Sequence, residues 1–256
     1  QVVKTILEYA EENQMRTGLI ATCALTHATP ASFYTHNHKR SYIGDSAITD
    51  FMQSGIEVFM GGGKNYFNQR KDSLNFYDSL SALGYCLLDS IIDELPKDCE
   101  QLVCLNAGTH PPSILDGRGP FFPLALEKGL QVLERGNEHG FFMMAEGAQI
   151  DWGGHENYSQ YIVTEMLDFD QGIAAALAFA EQDGETLVIV TADHETGGYS
   201  VNGHDVQADT LIGKFTTGYH TASMVPIFAY GPGAEKFSGI QENTSVFHHI
   251  KALLKL

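Results

Sequence analysis

Three potential metal ligands stand within ten residues of one another in the stretch EGAQIDWGGH, residues 146–155. They are Glu146, Asp151 and His155, and they follow the apolar run GFFMMA. Carboxylate and imidazole groups together suit Zn²⁺, whereas carboxylate and hydroxyl oxygens suit Mg²⁺. The residue types and their spacing therefore predict divalent-metal chemistry at the end of a buried strand.

Further polar residues stand where other apolar runs begin or end. Asp193 and His194 follow TLVIVTA, His27 and Thr29 follow GLIATCAL, and His220 precedes VPIFAYG. In open parallel sheets, ligands gather at the carboxyl ends of the strands. Any one of these residues alone is more often a helix cap or a turn residue than a ligand. Together they offer enough oxygen and imidazole ligands for more than one divalent ion.

The strands that must position these residues are continuously apolar, as expected for strands covered on both faces. The predicted strands lie at 17–25, 56–62, 101–106, 140–147, 185–193 and 225–231. The predicted helices lie at 1–14, 45–54, 72–83, 121–135, 156–182 and 244–255. This alternation predicts an α/β fold with a mostly parallel central sheet flanked by helices on both faces. We find no internal repeat or linker, which predicts a single domain over residues 1–256.

The chain carries a large excess of acidic residues. Lys and Arg number 15 against 32 Asp and Glu, which gives a formal net charge of −17. A nucleic-acid partner is disfavoured because its phosphates would be repelled. An anionic small substrate would also be repelled, so an anion site needs a local positive field, which bound metal ions supply. No apolar run approaches the roughly 18 residues that a membrane span needs.

The four cysteines are too few for a disulfide scaffold and form no CxxC pair. Cys23 and Cys104 stand in apolar runs, where a cysteine usually serves as a small buried hydrophobic residue. Cys86 and Cys99 could bridge in an oxidising compartment or stay reduced, and the sequence leaves both states open.

Four motifs in this chain resemble those of the alkaline phosphatase family, in the family's order. They are HATPASFYTHNHKR, EGAQIDWGGH, VIVTADHETGG, and HT ahead of VPIFAYGPGA. The internal spacings also fit: Asp151 follows Glu146 by five positions, His155 follows Asp151 by four, and Arg40 follows Thr29 by eleven. The resemblance covers essentially the whole chain and implies an alkaline phosphatase-like fold.

The resemblance also implies two zinc ions and one magnesium ion around a phosphate-sized space. The implied ligands of the first zinc are Asp151, His155 and His220. Asp193 and His194 would help to hold the second zinc. The implied magnesium ligands are Glu146 and Thr29.

The implied substrate is a phosphate monoester. Arg40 would hold two phosphate oxygens with its planar fork, a geometry that Lys does not offer. His27 and Trp152 would lie near the magnesium and the phosphate, at positions that vary within the family. The resemblance further implies a periplasmic or secreted protein and leaves a homodimer possible.

Two family residues are expected upstream of Gln1: the serine nucleophile and an aspartate shared by the second zinc and the magnesium. The chain is therefore expected to lack the N-terminal portion of the domain and to turn over little substrate alone. The segment GDSAITDF, residues 44–51, contains Asp-Ser-Ala but follows Arg40 in the motif order. We interpret Asp45 or Ser46 as a helix N-cap instead. Only 25 residues separate His194 from His220, which indicates a compact family member.

The predicted function is metal-dependent hydrolysis of phosphate monoesters. The family mechanism implies serine attack on phosphorus, a phosphoseryl intermediate and its hydrolysis. One alternative is a phosphodiesterase of the same superfamily, which the Arg40 motif and the Glu146–Thr29 pair disfavour. The other is a catalytically silent metal- or anion-binding fragment, which the missing serine and aspartate favour.

Overall fold

A parallel sheet of five strands organises the first of two units into which the chain divides. The structure is a computed structural model that describes residues 2–37, 43–91, 94–208 and 210–256, without the side chains of Ile43 and Asp45. The first unit comprises Gln1–Pro111, Pro120–Glu146 and Gln241–Leu256, and the second comprises Pro112–Gly119 and Gly147–Ile240. The expectation of a single domain over 1–256 stays a prediction.

The strands of the first unit are the continuously apolar runs of the sequence and one shorter run. They are β1 (Arg16–Ala24), β2 (Val58–Gly62), β3 (Cys86–Leu88), β4 (Leu102–Ala107) and β5 (Phe141–Glu146). They pair in the order β3-β4-β2-β1-β5, and every pair is parallel. All of β1 after its first residue is buried, which explains why its sequence does not alternate in polarity.

The helices of the first unit lie against this sheet or against one another. They are α1 (Ile6–Glu12), α2 (Ala28–Ala31), α3 (Ile43–Ser54), α4 (Asn65–Asn68), α5 (Phe76–Ala82), α6 (Phe121–Glu134) and, near the C-terminus, α9 (Ser245–Leu254). Helix α6 contacts β1, β2 and β5. It buries one apolar face, and its Gly129 lies so close to the side chains of Ile20 and Met60 that an added Cβ would stand 3.2 Å from both.

In its described residues, the second unit contains two α-helices, a short 3-10 helix (Ala234–Phe237) and three short antiparallel strand pairs. The helices are α7 (Gln149–His155) and α8 (Ser159–Asp183). The strands are β6 (Val188–Thr191), β7 (Glu195–Thr196), β8 (Ser200–Asp205), β9 (Thr210–Lys214), β10 (His220–Thr221) and β11 (Ile227–Tyr230). Strand β6 pairs with β11, β7 with β10 and β8 with β9. Among the described residues, no helix is long and apolar enough to cross a membrane.

The α/β fold with a parallel central sheet and flanking helices is confirmed, and each of the six predicted strand runs contains a strand. The runs 185–193 and 225–231 do not join the parallel sheet but pair with each other in the second unit. The predicted helix over 1–14 begins only at Ile6, where a Thr5–Glu8 capping box starts it. The N-cap expectation for Asp45 or Ser46 is wrong, because α3 already begins at Ile43.

Cys86 and Cys99 form a disulfide, with their Cα atoms 5.9 Å apart, within the usual span of such bonds. The bridge ties the start of β3 to the loop that precedes β4. Cys23 and Cys104 are free and buried, as their apolar context predicts. The pairing that the sequence left open is therefore formed in the structure.

Two glutamates lie half-buried at the amino end of β1. Glu11 accepts a hydrogen bond from the Thr17 hydroxyl, and Glu57 accepts one from the Thr17 backbone amide at 2.7 Å. Burial, opposed by the Thr17 hydrogen bond and assisted by the charge of Glu57, raises the pKa of Glu11 to about 7. Folding therefore favours the protonated form of this carboxyl group.

We expect the free energy of unfolding to fall as the pH rises from about 4.5, the ordinary pKa of Glu11, to about 7. Between these values the unfolded carboxyl group has lost its proton while the folded one keeps it, and above about 7 the cost is constant. Glu11→Gln should remove that slope and add about 1–2 kcal/mol near neutral pH, after allowance for solvent screening of this partly exposed group. Urea unfolding at a series of pH values, followed by circular dichroism, measures it. The exposed neighbour Glu12→Gln is the control, and an unchanged slope in Glu11→Gln would contradict the assignment.

Candidate metal centre

One carboxylate and two imidazoles converge at the end of α7. Asp151 Oδ1 lies 3.4 Å from His155 Nε2 and 3.4 Å from His220 Nε2, and the two Nε2 atoms lie 3.2 Å apart. Ligands held about 2.0–2.2 Å from a tetrahedral zinc ion lie about 3.3–3.6 Å from one another. The triangle of donor atoms therefore has edges close to those of a first zinc shell.

The tautomer of His155 leaves a lone pair available at this triangle. Its Nδ1 lies 2.8 Å from the Gly218 carbonyl oxygen, which can only accept, so Nδ1 donates and Nε2 of the neutral imidazole keeps its lone pair. A second-shell carbonyl on the far nitrogen is the usual way in which a metal-binding histidine is oriented. Asp151 is 30% exposed and His220 is 48% exposed, so an ion could enter from solvent. The donor set fits a divalent metal.

Asp193 and His194 bring a second group of donors beside the first. The rings of His194 and His220 stack with their centroids 3.5 Å apart, and Asp193 Oδ2 lies 3.1 Å from His194 Nε2. Ligand atoms of Asp151, His194 and His220 all lie within 4.8 Å of one another. Two metal ions that act together stand about 3.5–4 Å apart, so the spacing suits a pair of ions that share one end of this unit.

The positions of these ligands depend on residues that the sequence did not single out. The Thr196 hydroxyl donates to Asp151 Oδ1 and lies 3.2 Å from His194 Nδ1, so it links the two groups. Register places Thr196 opposite His220 in the β7–β10 pair. A threonine two residues after a ligand carries no signal in the sequence, since its contact with Asp151 exists only after β7 packs on α7.

Glu195 is the second such residue, and it fixes the segment that carries His220. It accepts hydrogen bonds from the Thr221 hydroxyl and from the backbone amides of Gly198, at 3.1 Å, and Tyr199, at 3.2 Å. Burial opposes ionisation of Glu195, but these hydrogen bonds outweigh it and hold the pKa below its usual value. An ionised Glu195 thus ties β10 to the turn that follows β7.

In the first unit, Glu146 is the last residue of β5, at the carboxyl end of the parallel sheet. The Cys23 thiol in β1 donates to Glu146 Oε2 at 3.7 Å. Burial and the adjacent charge of Glu146 raise the pKa of Cys23, so the thiol keeps its proton. A carboxylate oxygen at this edge is where sequence reasoning expects a magnesium ligand.

Thr29 and His27 lie at the same edge of the first unit. Thr29 is in α2, which contacts both β1 and β5, and His27 is the N-cap residue of that helix. The rings of His27 and His110 meet edge to face with centroids 5.7 Å apart. His110 Nδ1 accepts the backbone N–H of Ala24 at 3.1 Å, and burial lowers its pKa. Sequence reasoning did not identify His110, which follows β4 in a stretch without a motif.

Two expected site residues remain. Trp152 lies on α7 directly after Asp151 and is partly buried. Arg40, the expected phosphate ligand, lies outside the residues that the structure describes. The second unit thus brings together Asp151, His155, His220, Asp193 and His194, and the first unit brings together the elements that carry Thr29 and Glu146.

Comparison with known proteins gives matches along the whole chain. A family model described as alkaline phosphatase matches residues 1–214 and 205–256. Alkaline phosphatase 3 of Bacillus subtilis is 33% identical over 328 aligned positions, which cover 98% of this chain and 70% of the relative. Streptomycin-6-phosphate phosphatase of Streptomyces griseus is 29% identical, covering 98% of this chain and 71% of the relative.

A solved structure with the same fold covers all of the chain. It is alkaline phosphatase from the Antarctic bacterium TAB5, in a histidine-to-glutamate mutant with Mg bound in the M3 site. The TM-score is 0.92 and the sequence identity is 39%, over 100% of this chain and 76% of that one.

Proposed function

This chain belongs to the alkaline phosphatase family and is a phosphate monoester hydrolase, and we propose that it acts through two zinc ions and one magnesium ion. The observation that carries this proposal is the triangle of Asp151, His155 and His220 donor atoms with edges of 3.2–3.4 Å. Two imidazoles and a carboxylate at tetrahedral spacing are a zinc donor set.

We assign each expected residue one task. Asp151, His155 and His220 hold the first zinc, and Asp193 and His194 hold the second. Glu146 and Thr29 supply oxygens to magnesium, in keeping with the Mg that the solved relative carries. These ions, when bound, supply the positive charge that a phosphate dianion needs in a chain of net charge −17.

The remaining site residues act on the substrate. Arg40 holds two phosphate oxygens in a bidentate pair and so orients the phosphorus. His27 and Trp152 shape the surroundings of the magnesium and the phosphate. Thr196 keeps the Asp151 carboxylate turned toward its zinc by donating to Oδ1, and Gly218 keeps the proton of His155 on Nδ1.

The Cys86–Cys99 disulfide supports a periplasmic or secreted location, because such bonds persist in oxidising compartments.

The proposed substrates are phosphate monoesters, with no nucleic acid among the partners. A homodimer is the proposed assembly, on the resemblance to the family alone.

The test is metal-dependent hydrolysis by the metal-stripped protein, prepared with the upstream serine segment that the family resemblance implies. Zinc and magnesium are added back in turn, and cleavage of an aryl phosphate is compared with cleavage of a bis(aryl) phosphate. We expect activity on the monoester to return only with metal and to exceed activity on the diester. A preference for the diester would favour a phosphodiesterase, and tight zinc binding without cleavage of either would favour the silent metal-binding alternative.

A further inference from the structure

Helix α7 carries two of the three ligands of the first site, yet it is only seven residues long. Its N-cap residue is Ala148, which offers no side-chain hydrogen bond. Helices this short are unstable by themselves in water, so tertiary contacts must hold α7 in place. Those contacts set where Asp151 and His155 point.

The face of α7 opposite the ligands is buried against α8. Gln149 and Gly153, four residues apart, lie on that face, whereas Asp151 stands about 200° around the helix from Gln149. Gly153 approaches α8 so closely that an added Cβ would lie 2.8 Å from the Ile162 backbone nitrogen. Gln149 is 1% exposed, which is unusual for a glutamine because a buried amide must find partners for both its groups.

Both ends of the Gln149 amide have partners. The Tyr161 hydroxyl of α8 donates to Gln149 Oε1 at 2.7 Å, and Gln149 Nε2 donates to the Pro112 carbonyl oxygen at 3.4 Å. The amide therefore joins α7 to two other segments of the second unit. A carboxylate could not donate to Pro112, and an apolar side chain would leave the buried Tyr161 hydroxyl without its acceptor.

The segment that offers the Pro112 carbonyl is itself anchored to α8. The backbone N–H of Ile114 donates to Glu165 Oε1 at 2.8 Å, and the buried Arg118 guanidinium bonds both Glu165 and, at 2.8 Å, Asp168. Tyr161 and Glu165 stand four residues apart on α8, so one stripe of that helix holds both Gln149 and the 112–119 segment. The Gln149 amide is thus hydrogen-bonded on both sides, to the Tyr161 hydroxyl and to the Pro112 carbonyl, and both partners are held in place by α8.

From this geometry we propose that Gln149 is a positioning residue for the first zinc site, acting through the rotation and depth of α7. The inference rests on the proposed zinc site of Asp151, His155 and His220. Gln149 touches neither metal nor substrate. Its hydrogen bonds hold the helix in the orientation in which the ligand atoms of Asp151 and His155 lie close enough to His220 Nε2 for all three to bind one ion.

The test uses cobalt(II) as the probe, because its visible absorption reports both occupancy and tetrahedral geometry. Gln149→Met, of similar volume, and Tyr161→Phe, which removes one hydroxyl, are prepared in the full chain with the double variant. We expect each single variant to lower Co²⁺ affinity about tenfold and to weaken the tetrahedral absorption, in the range that lost outer-shell partners cost. The double variant should lose little more than either single one, because both changes break the same contact.

Tyr158→Phe is the matched control. Tyr158 immediately precedes α8, and its exposed hydroxyl donates to Gln160 at 3.1 Å, so its loss should leave Co²⁺ binding unchanged. Unchanged Co²⁺ affinity and spectrum in Tyr161→Phe, even with lower stability of the metal-free chain, would overturn the proposal by showing a purely structural role. If Gln149→Met fails to fold, the comparison of Tyr161→Phe with Tyr158→Phe decides. Absence of Co²⁺ and Zn²⁺ binding in the unmodified chain would overturn the zinc site and the positioning role together.

Discussion

Replacing Asp151 with alanine is expected to lower zinc affinity at the first site by more than the roughly 10–100-fold that loss of an outer-shell partner costs. Asp151 Oδ1 is the oxygen that both His155 Nε2 and His220 Nε2 approach at 3.4 Å, so its loss leaves two neutral imidazoles to hold a dication. In the protein that includes the upstream serine segment implied by the resemblance, we expect kcat/KM on an aryl phosphate to fall about 10³-fold or more, which is about 4 kcal/mol of transition-state stabilisation. Zinc content after dialysis and steady-state hydrolysis measure the two effects.

The matched control is Asp170→Ala, which removes an exposed carboxylate from α8 in the same unit. It should change neither zinc content nor hydrolysis. A second variant, Asp151→Asn, keeps the shape and one oxygen, and should retain more zinc than Asp151→Ala. Zinc affinity of Asp151→Ala equal to that of the unmodified protein would place the first ion elsewhere and refute the ligand assignment.

Replacing Arg118 with methionine is expected to lower the free energy of unfolding of the second unit by about 3–5 kcal/mol. The side chains of Arg118 and Glu165 are each 1% exposed, and that of Asp168 is 6% exposed. Burial raises the pKa of Asp168, and the hydrogen bond and charge of Arg118 oppose that rise. Without the guanidinium, two carboxyl groups stay buried without a cation, so protonation at mildly acid pH should recover part of the loss.

Urea unfolding followed by tryptophan fluorescence measures this effect, since the chain has one tryptophan, Trp152 on α7 in the same unit. Lys214→Met, which removes an exposed cation from β9, is the control and should shift stability by no more than about 0.5 kcal/mol. A loss in Arg118→Met as small as that of the control would mean that the buried ion pairs contribute nothing to holding the 112–119 segment.

The elements that the sequence predicts well are those whose pattern is decided locally. The runs around β1, β2, β4 and β5 are apolar at every position because both faces are covered, and the structure has a strand in each. Strand β3 is not predicted, because its three residues, Cys86–Leu88, are too few to show a hydrophobic periodicity. Helix α7 was missed because its sequence contains two glycines, and close packing on α8 requires one of them, Gly153.

The candidate site divides in the same way. Asp151, His155 and His220 could be named from residue type, order and spacing, and the structure places their donor atoms together. Thr196, Glu195 and Gln149 could not, because each acts through a contact that forms only when distant segments meet. The partner of His155 Nδ1 is the backbone carbonyl of Gly218. Every residue has such a carbonyl, so no pattern of side chains in the sequence could identify this one. The sequence thus indicates which side chains can bind ions. The orientation of those side chains depends on packing contacts that form only in the folded protein.

The pairing of β7 with β10 has a consequence for how this family can diverge. Thr196 lies opposite His220. The segment between β7 and β10 is therefore a loop whose two ends lie side by side at the metal ligands. The entropic cost of closing a loop rises by only about 0.6 kcal/mol for each doubling of its length. Evolution can therefore lengthen, trim or exchange the segment that includes the β8–β9 hairpin while the ligands keep their positions. The two matches to the family model overlap at 205–214, within this segment.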